Sequence, residues 1–413
     1  MLQNRVLYKI LQEDEAMPFL SVSVFESRLR AIRQYLARTG SKALVVGNPD
    51  NFFYVSGFFL DVSPWERPVA AVIPLDSDPA LLLCELSQNH VKMAKNRGNL
   101  WVKDTRFYVE HPRISNRTYT VLQFPRMLSD LLQEKAVETG RVLCDTMAGE
   151  FLAAKQYLPE IEFGDGQKLL KNLRMVKCSE EIELMRQAAS LSDWGQSKFR
   201  ELVAPGRPIA QVDAETVAAM IGEGAVRWPD AKLEVRVFSL TGPASASPHG
   251  TGGDIGERIA KGHGIVNITI VRLNGMVVEN ERTYIVGKPS RKQAEAFRTA
   301  TEAQEVAISQ MLTGQPLADV DAAAQKVIEE AGFGDYICHR TGHGIGIAGH
   351  EWPEDMAWDP RPLKTAEVLS SEPGIYIHGL GGFRHDDTVV VGEDEPEVLT
   401  RAPKHLEQQI LPV

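Results

Sequence analysis

The chain has 413 residues, 43% of them hydrophobic and 24% charged, with a formal net charge of −10. That length exceeds one simple core and calls for two domains. The acidic balance argues against nucleic acid or an anionic membrane as main partner, because phosphate binding needs concentrated Lys and Arg.

The first residues, MLQNRVLYKILQEDEAMPF, carry no basic leader with an unbroken apolar run, so they do not read as a signal peptide. They are expected to form an arm with partial helicity. The first firm helix is predicted from Ser23, with Glu26 completing a capping box; Phe25, Leu29, Ile32 and Leu36 form its apolar stripe and Gly40 stops it. KALVVG, PVAAVIP, ALLLC, LWVKD and RVLCD read as strands, with NPDNFFYVSGFF as an aromatic, turn-rich link. Helices are predicted over 86–96, 121–138 and AGEFLAAKQYL. Strands alternating with helices over this stretch describe an α/β domain.

A second region begins near Asp165. The helix GQKLLKNLRMVK leads to Ser179, predicted to cap a long helix with Glu180 and Glu181 in its dipole-favoured first turn. Pro205 and Gly206 break it, a helix follows over 210–221, and LEVRVFSL, GIVNITIV and MVVENERTYIVG read as strands. The order then repeats: helices over 290–312 and 317–331, and strands around 336–347, 367–371 and 385–391. This suggests a duplicated α+β domain with its site between the halves.

Four cysteines (Cys84, Cys144, Cys178, Cys338) are scattered without a CxxC pair, which fits a reducing cytoplasm better than a disulfide framework or zinc ribbon. No window approaches about 18 consecutive apolar residues. A soluble cytoplasmic protein is expected.

Chemical potential concentrates in five stretches. HRTGHGIGIAGHEWP carries His343 and His350 on a glycine-dense segment, where missing Cβ atoms allow close approach of backbone to a ligand. In MVVENERTYIVG, alternation puts Glu279, Glu281 and Thr283 on one face and Asn280, Arg282 and Tyr284 on the other. Two carboxylates so placed repel unless solvated, protonated or shared with a cation; an exposed edge face is the plain alternative. SSEPGIYIHG sets Glu372 at a strand end. GGFRHDDTVVV puts Arg384, Asp386 and Thr388 on one face, and TGPASASPHGT places His249 in a loop of small residues.

GPASASPH, ENERT, TGHGIGIAGHEWP, SEPGIYI and FRHDDT, in that order, resemble the creatinase / aminopeptidase P / prolidase superfamily. In motif the chain is most similar to the creatinase-like, non-peptidase branch. The resemblance implies an α/β creatinase-type N-terminal domain over 1–165. It implies an α+β pita-bread catalytic domain over 166–413, with pseudo-duplicated helix-helix-strand halves. Metallopeptidases of this superfamily bind two divalent ions through two aspartates, a histidine and two glutamates. His343 and Glu372 match the histidine and first glutamate, Glu279 stands at the second aspartate and Asp386 at the last glutamate. The first aspartate falls among Asn267, Ile268 and Thr269, where no ionised ligand is available, and losing it weakens a two-metal site. If a metal binds, Glu279, His343, Glu372 and Asp386 are its ligands.

Creatinase, which hydrolyses a guanidino C–N bond without metal, has Glu-Arg-Thr where the peptidases have Thr-Arg-Thr. Glu281-Arg282-Thr283 resembles the former. The expectation is therefore a hydrolase of a C–N bond in a small cationic, amidine or amide compound, with no cofactor but a single divalent metal open. By the resemblance, Glu281 and Glu372 grip the cationic group and His249 relays protons. His343 and His350 orient the reacting group. Arg67, supplied across a homodimer, and Arg384 hold a carboxylate. The alternatives are a metal-dependent Xaa-Pro dipeptidase or aminopeptidase with an altered ligand set, a lyase acting on a small zwitterion, and a catalytically silent binding protein. A small-molecule substrate and a homodimer are the expected partners.

Overall fold

The computed structural model describes residues 19–110, 120–147, 149–248, 250 and 254–413. The expected N-terminal arm and His249 lie outside the described residues. The described chain forms two compact units, Phe19–Arg174 and Met175–Val413.

The first unit is built on a six-stranded sheet, ordered β4-β3-β2-β1-β5-β6. Its strands are β1 (Ser41–Val46), β2 (Ala70–Pro74), β3 (Ala80–Cys84), β4 (Asp104–Tyr108), β5 (Gly140–Cys144) and β6 (Ile161–Asp165). The central strands β2 and β3 are buried at every position, as their unbroken apolar sequences require. Helices α1 (Val22–Thr39), α2 (Pro49–Ser56), α3 (Gln88–Arg97), α4 (Thr120–Glu134), α5 (Gly149–Ala153) and α6 (Gln167–Met175) complete it.

Three local expectations change here. The Ser23 capping box is absent: α1 starts at Val22 behind Ser21, whose side chain caps nothing and bonds Ser23 Oγ instead. The aromatic link contains helix α2, capped by the Asn48 side chain, which accepts from the Asp50 and Asn51 amides. Six consecutive α2 residues are buried, so no one-sided stripe marks it in sequence. LWVKD lies mostly before its strand, since pairing with β3 begins at Asp104.

The second unit centres on a sheet ordered β10-β13-β9-β8-β7. These strands are β7 (Leu233–Thr241), β8 (Gly264–Leu273), β9 (Met276–Val286), β10 (Val368–Ser371) and β13 (Asp386–Val390), with β11 (Gly374–Ile377) and β12 (Gly381–Arg384) forming a separate hairpin. Helices α7 (Ser179–Leu202) and α8 (Ile209–Arg227) precede β7, and α9 (Arg291–Ser309) and α10 (Leu317–Glu330) precede β10. The helix-helix-strand order is thus present twice, giving the pita-bread architecture.

Cys178, not Ser179, is the N-cap of α7, and Glu181 accepts from its amide at 2.8 Å. The region 336–347 is not a strand; it is an irregular segment with isolated bridges from Gly344 to Glu351 and Leu369. Phe297, Ala300 and Ala303 of α9 pack with Leu369, Ile375 and Phe383. Each large side chain so buried contributes about 1.5–3 kcal/mol.

Candidate active site

Strand β9 is buried at every position, so its two faces must each find partners. On one face Asn280 donates to Ser192 Oγ (2.9 Å) and Tyr284 donates to Gln196 Oε1 (2.7 Å), both on α7. Arg282 is held by Asp387 at 2.7 Å and by the Ala402 carbonyl. The other face carries Glu279 and Glu281 into a cavity of about 600 Å³, also lined by Phe238, Ile268, Ile270, His350, Glu372 and Arg384. The exposed-edge alternative for this strand does not hold, since Glu281 is 5% exposed.

The glycine-rich segment packs tightly against neighbouring backbone beside this cavity, which side chains at its glycines would prevent. A Cβ at Gly342 would stand 2.1 Å from Ser370 O, and one at Gly344 2.6 Å from Trp352 O. That closeness lets the His343 amide donate to Ser370 Oγ (3.0 Å) and the Glu372 amide to Thr341 O (2.6 Å). A buried ion pair of Lys177 and Glu351 (2.8 Å) pins the far end of the segment.

His343 Nδ1 lies 3.0 Å from Gly344 O, which can only accept, so Nδ1 carries the proton and Nε2 faces the cavity. Nε2 lies 3.3 Å from Glu372 and 3.5 Å from Glu279. Among the described residues, His343 Nε2 and Asp386 Oδ2 are buried without a hydrogen-bond partner. The His343 and His350 rings stack at 3.6 Å, with His350 exposed. Arg384 is clamped on Glu281, through Nη2 to Oε1 at 3.0 Å and through Nε to Oε2, and its Nη1 lies 3.9 Å from Glu372. Tyr376 and the Pro248 carbonyl hold the same guanidinium at 3.1 and 2.9 Å.

Burial pushes Glu279 up to about 8, with Glu372 and Glu281 adding to the rise against His343. Burial also raises Glu281, to about 7, against the pull of Arg384. Asp386 is raised well above the ordinary carboxylate range by burial and by its acidic neighbours Glu372, Glu281, Glu279 and Asp387. Burial opposes ionisation of Glu372 too, but His343 and Arg384 overcome it and hold its pKa low. Four carboxylates therefore crowd a site with too little positive charge, a setting suited to a cation.

Of the expected site residues, the structure gathers Glu279, Glu281, His343, His350, Glu372, Arg384 and Asp386 within this unit. Arg67 belongs to the other unit, where it pairs with Glu110 at 2.6 Å and Glu66 at 2.5 Å. Sequence reasoning missed Tyr376, although it sits within SEPGIYI, and left open which β8 residue faces the cavity. That residue is Ile268; Asn267 turns away to donate to Ser239 Oγ at 3.0 Å.

A sequence profile for metallopeptidase family M24 matches residues 183–393, and one for the creatinase/prolidase N-terminal domain matches 28–176. The chain belongs to metallopeptidase family M24. It is a hydrolase of the creatinase/prolidase superfamily. An Xaa-Pro dipeptidase of Pyrococcus furiosus is 29% identical over 92% of this chain and 99% of its own. The crystal structure of dipeptidase PepE from Mycobacterium ulcerans superposes with a TM-score of 0.79 at 28% identity, covering 96% of this chain and all of that one. A prolidase structure from Pyrococcus horikoshii, at 23% identity and TM-score 0.76 over 92% and 99% of the two chains, supports the fold.

Membership of the M24 family implies a divalent metal and does not support the expected metal-free, creatinase-like pocket. The donors fit such an ion. Glu279, His343 and His350 form one group of ligand atoms lying within 4.8 Å of one another, and Glu281, Glu372 and Asp386 form another. Carboxylate oxygens with one imidazole suit a hard or borderline divalent cation. Among the described residues, no helix is long and apolar enough to cross a membrane.

Proposed function

We propose that this M24 hydrolase is a metal-dependent dipeptidase that cleaves the bond before proline in short Xaa-Pro substrates. The observation that carries the reading is the convergence of Glu279, His343, Glu372 and Asp386, with His343 Nε2 and Asp386 Oδ2 buried and unpartnered among the described residues. The names of the Pyrococcus and Mycobacterium relatives point the same way.

These four side chains would hold the ion. The ion held there would supply Lewis-acid polarisation of the scissile carbonyl and a lowered pKa for an attacking water. Glu372, with the Arg384 guanidinium 3.9 Å away, would accept the proton released by an attacking water. His350, stacked on His343 and exposed to the cavity, donates toward the developing carbonyl charge. Phe238, Ile268 and Ile270 supply an apolar wall for the proline ring.

The amidine-hydrolase reading needs Glu281 and Glu372 free to grip a substrate cation. Arg384 is already paired to Glu281 and close to Glu372, which weighs against it. A homodimer in which Arg67 reaches a neighbouring site is carried as part of the proposal.

The test is turnover by protein stripped of metal, before and after adding Mn²⁺, on Xaa-Pro dipeptides, Xaa-Ala dipeptides and creatine. Activity on Xaa-Pro that returns with Mn²⁺ is the expected result. Metal-free turnover of the amidino compound, with none on Xaa-Pro, overturns it.

A further inference from the structure

We infer that the carboxylate cluster takes a single divalent ion, because the guanidinium of Arg384 already fills the second cationic seat, beside Glu281. The inference rests on the metal-dependent reading above and narrows it.

The cavity donors fall into two groups of three, and the groups differ in what they still lack. In the group Glu281, Glu372 and Asp386, both oxygens of Glu281 are engaged by Arg384. That guanidinium is 2% exposed as a residue and is also held by Tyr376 and by the Pro248 carbonyl. An arginine keeps its charge at any working pH and presents a rigid planar fork. A metal entering this seat would have to evict it, stranding a buried cation, and such stranding is strongly unfavourable.

The neighbouring strand offers no compensation. In the β8–β9 register Ile268 stands beside Glu281 and Ile270 beside Glu279. Both isoleucines line the cavity, so two aliphatic side chains stand where further oxygen ligands would be needed. The group around His343 is different. Its Nε2 lies between Glu279 and Glu372 with no hydrogen bond among the described residues.

The ladder also shows where the missing ligand went. The resemblance to the superfamily's metallopeptidases places an aspartate on β8 and a threonine at position 281. Here the carboxylate stands directly across the ladder, on β9, and is consumed by an ion pair within the protein.

The experiment is calorimetric titration of the full-length, metal-stripped protein with Mn²⁺, with elemental analysis after gel filtration. One equivalent per chain is expected, and none for His343→Ala. Ile268→Asp combined with Arg384→Leu, which empties the seat beside Glu281 and frees its carboxylate, is expected to raise the count to two. Two equivalents in the unmodified protein, or none, overturn the inference. So does a folded double variant that still takes one. Should the double variant not fold, the count in the unmodified protein decides alone. One equivalent without Xaa-Pro turnover upholds this inference and sinks the proposed activity; two equivalents with turnover do the reverse.

Discussion

Strands β8 and β9 pair in continuous antiparallel register, from Gly264 against Ile285 to Leu273 against Met276. Their cavity-facing positions alternate in step, so Ile268 and Ile270 stand beside Glu281 and Glu279. Around the carboxylates the β9 cavity face is ionisable and the β8 face aliphatic, with Arg272 of β8 and Val277 of β9 lining the cavity one pair further along. Behind the sheet, Asn267 and Thr269 of β8 hydrogen-bond to each other (2.9 Å), and Asn267 also reaches Ser239 (3.0 Å). Beside the carboxylates, β8 therefore directs its polarity away from the cavity. In this hairpin one strand supplies charge and its neighbour sets how much cation that charge can attract.

The contrast breaks most sharply if the β9 carboxylates act without His343. His343→Ala removes the imidazole between Glu279 and Glu372. Loss of ion binding should cost several kcal/mol of transition-state stabilisation, a fall in kcat/KM on the order of 10³-fold or more. Xaa-Pro turnover measured with saturating Mn²⁺ checks it, and a fall of less than about tenfold would detach β9 from any ion. The next largest effect concerns the internal pair. Arg384→Ala leaves Glu281 buried and unpaired, at a cost of roughly 3–5 kcal/mol in unfolding free energy. Adding Glu281→Thr should restore most of it. A denaturation double-mutant cycle with no coupling between the two sites would refute the pairing.

Much of this hairpin is legible in sequence, for a physical reason. Strand alternation has a period of two, so MVVENERTYIVG alone assigns Glu279 and Glu281 to one face and Arg282 to the other. The helix-helix-strand repeat is legible in the same way, from stripes and breakers. GIVNITIV gives less away. Its run is apolar on both faces, and alternation does not say which of Asn267 and Ile268 meets the cavity until the partner strands are fixed. The Arg384–Glu281 pair is less legible still, because it joins residues 103 positions apart. The same holds for α2, where burial all round erases the periodic signal.

Asp213 tests the back of β8. Burial pushes its carboxyl up to about 6, although the Ser239 hydroxyl and amide both donate to it. A folded-state pKa above the usual value near 3.8 means that the folded chain holds the proton more tightly. The stabilisation is then full below about pH 4 and lost as pH rises through about 6. The displacement corresponds to about 3 kcal/mol. Asp213→Asn should remove that slope from unfolding free energies measured between about pH 4 and 7. An unchanged slope would show that Asp213 is ionised in the folded chain throughout.

The smallest effect separates the two faces of β8 most directly. Asn267→Asp adds a carboxylate one residue away from the position where Ile268→Asp is expected to create a metal ligand. Its side chain points to Ser239, whose hydroxyl is already donated to Asp213 at 2.6 Å. The new carboxylate gives up the amide donor to Ser239 and has no second hydroxyl proton to accept, so a buried acceptor is left short of a partner. A loss of about 1–3 kcal/mol in stability follows, with the Mn²⁺ count of the unmodified protein retained. A second equivalent bound by Asn267→Asp would mean that β8 can turn this position to the cavity, and the division between its faces would fail. A carboxylate at 268 that takes part in raising the metal count, and one at 267 that leaves it unchanged, are what a strand with fixed faces requires.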